Sequence, residues 1–179
     1  LVRFLTMRGV HIVGVCTSGA DVAPTIAAAA QAAGVPGIAP EVAERTHNKW
    51  RVREALTNSP LDAYQPCWGE VDGLARPLHG VTGPLAEAHR IGYPVVIKPY
   101  TERASRGVTL VRNDAEIDAA VAKAMQYGEH YLVEECLTGT EHSIEGLFGN
   151  DGELLWLNVV DRFFDYSSGV PIEIGHVNP

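Results

Sequence analysis

Apolar residues recur along this chain at two periods, and the change from one to the other marks its elements. Leu1, Phe4 and Leu5, ending at Gly9, fit the last turns of a helix closed by glycine. His11 to Val15 reads as a buried strand, and an alanine-rich helix capped by Asp21 and stopped by Gly34 follows it. Thr46-His47-Asn48 starts a second helix from Lys49 to about Thr57, with Trp50, Ala55 and Leu56 on its buried side, ended by Asn58-Ser59-Pro60. Residues 62–83 are rich in Pro and Gly and predict only loops with one or two short strands. Pro84 to Arg90 predicts a short helix with proline in its first turn.

Val95-Val96-Ile97 is then an apolar strand that delivers Lys98 at its end, with Pro99 closing the ladder. Ala104, Ser105 and Gly107 form a small-residue loop, and Val108 to Val111 returns as a strand. Asn113 or Asp114 caps a helix whose Ile117, Val121, Ala124 and Met125 point inward, with Glu116 placed for a capping box. Tyr131 to Leu137 is an apolar strand carrying Glu134 and Glu135. Thr140 to Gly146 alternates as a half-buried strand does, so residues 94 to about 145 predict one small sheet crossed by a helix. Leu147-Phe148 and Leu154 to Val160, joined at Asn150-Asp151-Gly152, form a hairpin that opens a second, larger antiparallel sheet.

Composition narrows the chemistry. The chain has 179 residues, is 46% hydrophobic and 20% charged, and carries a formal net charge of −8. Nucleic acid is a poor match for that charge, since such partners select basic surfaces. It does not argue against a nucleotide, where a few local lysines and a bound cation dominate the field. No apolar run approaches the roughly 20 residues that span a bilayer, and no secretory pattern is present, so a cytoplasmic setting is expected. Cys16, Cys67 and Cys136 are odd in number and far apart, which fits a reducing compartment better than a disulfide framework or a zinc site.

A lysine at a strand end facing a loop of free N–H groups is a way to hold phosphate. The segment after Tyr131 can offer backbone groups to a purine edge over Leu137, with Glu141 placed to accept from ribose hydroxyls. Five pieces, in order, carry a resemblance: Asn48-Lys49 with Arg53 and Glu54; Gly92-Tyr93-Pro94-Val95-Val96-Ile97-Lys98-Pro99; Ser105-Arg106-Gly107-Val108; Val133-Glu134-Glu135-Cys136-Leu137 with Gly139 and Glu141; and Glu173-Ile174-Gly175-His176-Val177. On these, the chain from about Gly14 to its last residue resembles the nucleotide-binding part of an ATP-grasp ligase, and most closely the carboxylate–amine ligases that join amino acids.

The resemblance implies an α/β class of the α+β ATP-grasp kind. The division it implies is the C-terminal part of a Rossmann-like domain (1–45), a linking helix and connecting region (46–93), a small nucleotide-binding subdomain (94–146) and the start of a larger catalytic subdomain (147–179). It implies ATP and Mg²⁺ as cofactors, small carboxylate and amine substrates (amino acids among them), neither nucleic acid nor membrane as partner, and leaves a homodimer open. Lys49 and Lys98 correspond to the two phosphate-contacting lysines. Ser105, Arg106, Gly107 and Val108 correspond to the loop that closes over the phosphates, with Ala104 where glycine is usual. Glu134, Glu135, Cys136 and Leu137 correspond to the adenine segment and Glu141 to the ribose carboxylate. Glu173 and His176 fall near the acceptor site, and Asp161 and Arg162 line the cleft on slighter grounds. Lys98, Arg106 and His176 are the candidate catalytic groups. The Mg²⁺ ligands of such enzymes follow the region that ends at Pro179, so no metal ligand is assigned and the chain is expected to be a portion of a longer protein. The expected reaction joins a carboxylate to an amine through an acyl phosphate. A biotin-dependent-carboxylase type of enzyme and a non-catalytic nucleotide-binding module are the alternatives.

Overall fold

The computed structural model describes residues 1–18, 22–72, 83–167 and 171–178. The chain divides after Ser59 into two compact units, Leu1–Ser59 and Pro60–Pro179. That division falls inside the connecting region expected over 46–93.

The first unit contains helices α1 (Val2–Met7), α2 (Ala23–Ala33), α3 (Pro40–His47) and α4 (Lys49–Leu56). Gly9 follows α1 at φ 72°, and Gly34 ends α2 in the left-handed region at φ 68°, where only glycine is unstrained. The Asp21 cap lies outside the described residues; the N-cap position of α2 is Val22, with Pro24 in the first turn. The strand expected over His11–Val15 does not form, and its residues are half-buried or exposed without a ladder partner. A strand is stable only beside another strand, and none neighbours it among the described residues. Helix α3 is not evident from the sequence pattern. Its only buried side chain is Ala43, too little to mark an apolar stripe, although Pro40 and Glu41 at its start and Arg45 and His47 at its end suit the helix dipole. The second expected helix is α4, and the Asn48 carboxamide caps it by accepting from Arg51 N–H at 3.2 Å. Trp50 and Leu56 are half-buried on it, while Ala55 is exposed.

The second unit holds two antiparallel sheets. The first comprises β1 (Trp68–Asp72), β2 (Val95–Pro99), β3 (Thr109–Val111) and β4 (His130–Glu135) in the order β1-β4-β2-β3. Helices α5 (Pro84–Ile91) and α6 (Ile117–Ala124) supply Ala88, Ile117, Ala120 and Ala124 to the same core as Val71, Val95, Ile97, Val111, Tyr131 and Val133. Burying a side chain such as Ile97 contributes about 2 kcal/mol, so this core anchors the unit. Asn113 and Glu116 form the expected cap before α6: Asn113 accepts from Ala115 N–H, and Glu116 accepts from Arg112 N–H at 2.9 Å. Met125, expected inward, is exposed.

The second sheet is β5 (His142–Phe148), β6 (Leu154–Asp165) and β7 (Ile172–Val177), in that order. Two strands sit differently from the expectation. The 140–146 strand, expected in the small sheet, is β5 and pairs with β6. The fourth place in the first sheet goes to β1, from the Pro- and Gly-rich stretch, which pairs with β4 from Trp68↔Glu134 to Asp72↔His130. Expected to be half-buried, β5 has no buried residue.

Candidate functional site

Alternation on β2 decides where Lys98 points. Val95, Ile97 and Pro99 are buried against the helices, so Val96 and Lys98 lie on the opposite face. Pro99 does not stop the ladder; it pairs with Tyr131. On β4 the register sets Val96 opposite Glu134, one diagonal step from Lys98, and the Lys98 ammonium meets the Glu134 carboxylate at 2.5 Å. These side chains are 18% and 4% exposed. Glu134 is therefore no solvated strand end but the buried partner of the candidate phosphate lysine.

The loop after β2 turns through consecutive left-handed residues, Ala104 at φ 53° and Ser105 at φ 57°, before Gly107 at φ 71°. Two of its backbone N–H groups are committed within the loop, Arg106 to the Arg103 carbonyl at 3.1 Å and Val108 to the Ser105 carbonyl at 3.2 Å, so an anion here would be met by the N–H groups of Ser105 and Gly107. Gly107 is required twice over: besides its φ, a Cβ there would lie 2.8 Å from the Tyr127 ring and 2.9 Å from Pro99. The Ser105 hydroxyl donates to the Pro171 carbonyl at 2.9 Å, tying the loop to the chain just before β7. Arg106 is exposed, 3.6 Å from Glu102, and the Val108 carbonyl accepts from Lys123 Nζ at 3.0 Å.

At the end of β4 the backbone donors are partly committed. Glu135 N–H donates to the Cys67 carbonyl at 2.8 Å, its carboxylate accepts from Cys67 N–H at 3.0 Å, and Cys136 N–H donates to the Pro94 carbonyl at 3.3 Å. A base edge meeting this segment therefore finds its donor from Leu137 onward, and the Leu137 side chain is 63% exposed, as a platform for a ring requires. Cys136 is half-buried with its thiol toward the Leu137 carbonyl at 3.9 Å. Beneath the segment, Arg90 donates to Glu87 at 2.8 and 2.6 Å, to the Trp68 carbonyl at 2.7 Å and to the Cys67 sulfur at 3.3 Å. Hydrogen bonding to Glu87 raises the already high Arg90 pKa. The sequence pattern shows α5 only as a short helix and gives no sign of this support.

The second sheet gathers another group. Glu141, Ser143 and Glu145 lie at alternate positions on the chain opposite Arg162, Val160 and Asn158. On β7, Glu173 and His176 are three residues apart and would face opposite sides of a regular strand. They share a face because of a bulge: Gly175 pairs with Phe163 and Glu173 with Phe164, so Ile174 is the extra residue. Arg162 Nη2 donates to Glu173 at 2.6 Å, Arg162 Nη1 is 3.6 Å from Glu141, and His176 Nδ1 is 3.7 Å from Glu173. The hydrogen bond from Arg162 holds the Glu173 carboxyl below the usual glutamate range, and the same bond raises Arg162. A cavity of about 510 Å³ opens on this face, lined by Ser143, Glu145, Asn158, Val160, Glu173, His176 and Asn178. Asp161 faces the other side, where it meets His142 at 2.7 Å.

The predicted residues of the second unit thus fall into four groups, one of them Glu135, Cys136 and Leu137 at the end of β4. Lys98 and Glu134 are together; Glu141, Glu173 and His176 are joined through Arg162; and Ser105, Arg106, Gly107 and Val108 form the loop. Lys49 belongs to the first unit, half-buried at the first turn of α4. Glu145, Asn158 and Asn178 were not singled out, although period-two spacing from Glu141 and from Arg162 reaches Glu145 and Asn158. Among the described residues no group of three or more His, Cys, Asp or Glu side chains could hold a metal ion. No helix among them is long and apolar enough to cross a membrane.

Residues 91–179 match the ATP-grasp domain family. A D-alanine–D-alanine ligase of Syntrophobacter fumaroxidans is 38% identical over 88 residues, covering 45% of this chain and 28% of that protein. The Stutzerimonas stutzeri ligase of the same name is 32% identical over 100 residues, covering 54% and 32%. The chain thus matches about a third or less of the length of these relatives. The D-alanine–D-alanine ligase from Bacillus anthracis superposes with a TM-score of 0.68 at 13% identity, covering 100% of this chain and 57% of that one. The L-amino acid ligase from Bacillus licheniformis gives 0.66 at 24% identity, covering 90% and 35%. At these identities the structures establish the shared α+β fold.

Proposed function

Because residues 91–179 match the ATP-grasp domain family, we propose that this chain is the nucleotide-binding part of an ATP-dependent carboxylate–amine ligase. The observation that carries the reading is the Lys98–Glu134 pair beside the left-handed loop, with an open ring platform at Leu137. The names of the two sequence relatives above, both D-alanine–D-alanine ligases, support the reaction class.

In this reading a substrate carboxylate oxygen attacks the terminal phosphorus of ATP, the bridging P–O bond breaks, and ADP leaves. The amine then attacks the acyl-phosphate carbon, phosphate leaves, and an amide remains. Lys98 lies against the phosphates and offsets charge developing on the bridging oxygen, with Glu134 keeping the ammonium in place. Lys49 is the second phosphate-contacting lysine. The Ser105–Val108 loop offers the N–H groups of Ser105 and Gly107, Arg106 adds a cation, and the closed loop excludes water from the acyl phosphate. Leu137 supports the adenine, Glu134, Glu135 and Cys136 shape its edge, and Glu141 accepts from the ribose. Glu173 and His176 face the acceptor amine, and the His176 imidazole takes its proton as general base. Mg²⁺ bound with ATP would supply charge that offsets the phosphates, but among the described residues no group of three or more His, Cys, Asp or Glu side chains fits a site for it. Every role above therefore rests on this chain's own side chains and backbone. A cytoplasmic setting belongs to the same proposal, which leaves a homodimer open.

Hydroxylamine trapping tests it. Incubation with ATP, Mg²⁺ and single amino acids, each with hydroxylamine, should yield a hydroxamate together with ADP for the true carboxylate substrate. ADP release without hydroxamate from any carboxylate would contradict an acyl phosphate.

A further inference from the structure

The bulge in β7 does more than align Glu173 with His176, because it also sets Glu173 against Arg162. Arg162 N–H donates to the Glu141 carbonyl at 3.1 Å, so backbone pairing fixes the stem of one carboxylate relative to the guanidinium. Its Nη1 faces Glu141 and its Nη2 faces Glu173, at 3.6 and 2.6 Å. The Phe164 ring lies 4.6 Å from Cζ and holds the guanidinium plane. Nε is buried without a hydrogen-bond partner, so the terminal nitrogens carry the pairing. A planar fork can serve two carboxylates at once, which a lysine ammonium at the same place does less well.

We propose that Arg162 is a positioning residue shared by the two halves of the site, holding Glu141 toward the nucleotide sugar and Glu173 toward the acceptor cavity. The inference rests on the proposed roles of Glu141 at the ribose and Glu173 at the acceptor. It makes the two substrate sites dependent on one side chain, through a guanidinium that need touch neither substrate.

The test compares the whole chain with Arg162→Met and Arg162→Lys, titrated with ATP and with 2′,3′-dideoxy-ATP, which has no hydroxyls for Glu141 to bind. Losing the orientation of a charged acceptor should weaken ATP about tenfold in Arg162→Met, with a much smaller loss for the dideoxy nucleotide. Arg162→Lys should recover part of the difference. In parallel, the Glu173 carboxyl, followed by NMR across acidic pH, should titrate higher in Arg162→Met than in the wild-type protein. Equal losses for both nucleotides, or a Glu173 titration that does not move, would overturn the shared role. A wild-type chain that binds neither nucleotide would instead remove the proposed function, and this inference with it.

Discussion

Lys98 and Glu134 face each other across β2 and β4 on the side of the sheet away from its helices, 2.5 Å apart and largely buried. The arrangement makes a stability prediction separate from any ligand. Breaking a buried pair leaves one charge unmatched and costs about 3 kcal/mol. Lys98→Met should lower the urea midpoint accordingly, and adding Glu134→Leu should restore much of it. An additive double variant would mean that the pair is not coupled.

Ala104 occupies a left-handed conformation that costs a non-glycine residue roughly 1–2 kcal/mol. Ala104→Gly should be neutral to stabilising by about 0.5 kcal/mol, once the greater freedom of glycine in the unfolded chain is subtracted. Ala104→Val, branched at Cβ, should destabilise. Chemical denaturation of the two variants gives opposite signs if this φ is populated in solution.

A side-chain hydrogen bond from Ser105 to the Pro171 carbonyl ties the loop to the second sheet. Ser105→Ala removes about 1 kcal/mol of local restraint. Trypsin should then cut faster after Arg103 or Arg106, at limiting protease, while the global midpoint changes little. Unchanged cleavage would show that the loop is held by something else.

Gly69 on β1 sits against Glu87: a Cβ there would lie 2.6 Å from the carboxylate carbon, which Arg90 already holds with two hydrogen bonds. Gly69→Ala should cost about 2 kcal/mol as overpacking. Gly69→Ala combined with Glu87→Ala should cost less than the sum of the two changes, measured by thermal unfolding.

Burial, and then the hydrogen bond it donates to Asp114 at 2.9 Å, push the Tyr93 phenol up to about 12. A raised folded value means that this contribution is complete below the ordinary tyrosine value near 10 and is lost as pH rises toward 12. The stability difference between wild type and Tyr93→Phe should therefore shrink over that interval. A difference independent of pH would contradict it.

Local signals carried the elements whose causes are local. Asn48 before α4, Gly34 after α2, the Asn113–Glu116 cap and the 150–152 hairpin turn each act within a few residues, and all stand where the residue types put them. Strand partnership is not local. His11–Val15 has the composition of a strand but no neighbour among the described residues, whereas Trp68–Asp72, obscured by flanking Pro66 and an internal glycine, finds one in β4. Lys98 was legible from its place after three apolar residues, but its pairing with Glu134 depends on register. Glu173 and His176 were legible as a motif, while the bulge that gives them one face depends on an extra residue that no alternation pattern reveals.

The most direct test of the central claim is calorimetric titration of this chain with ATP in the presence of Mg²⁺, beside a Lys98→Met variant shown by circular dichroism to be folded. The account predicts saturable one-to-one binding to the wild-type chain and its loss in the variant. A folded wild-type chain that binds no ATP, or a variant that binds equally well, would contradict it.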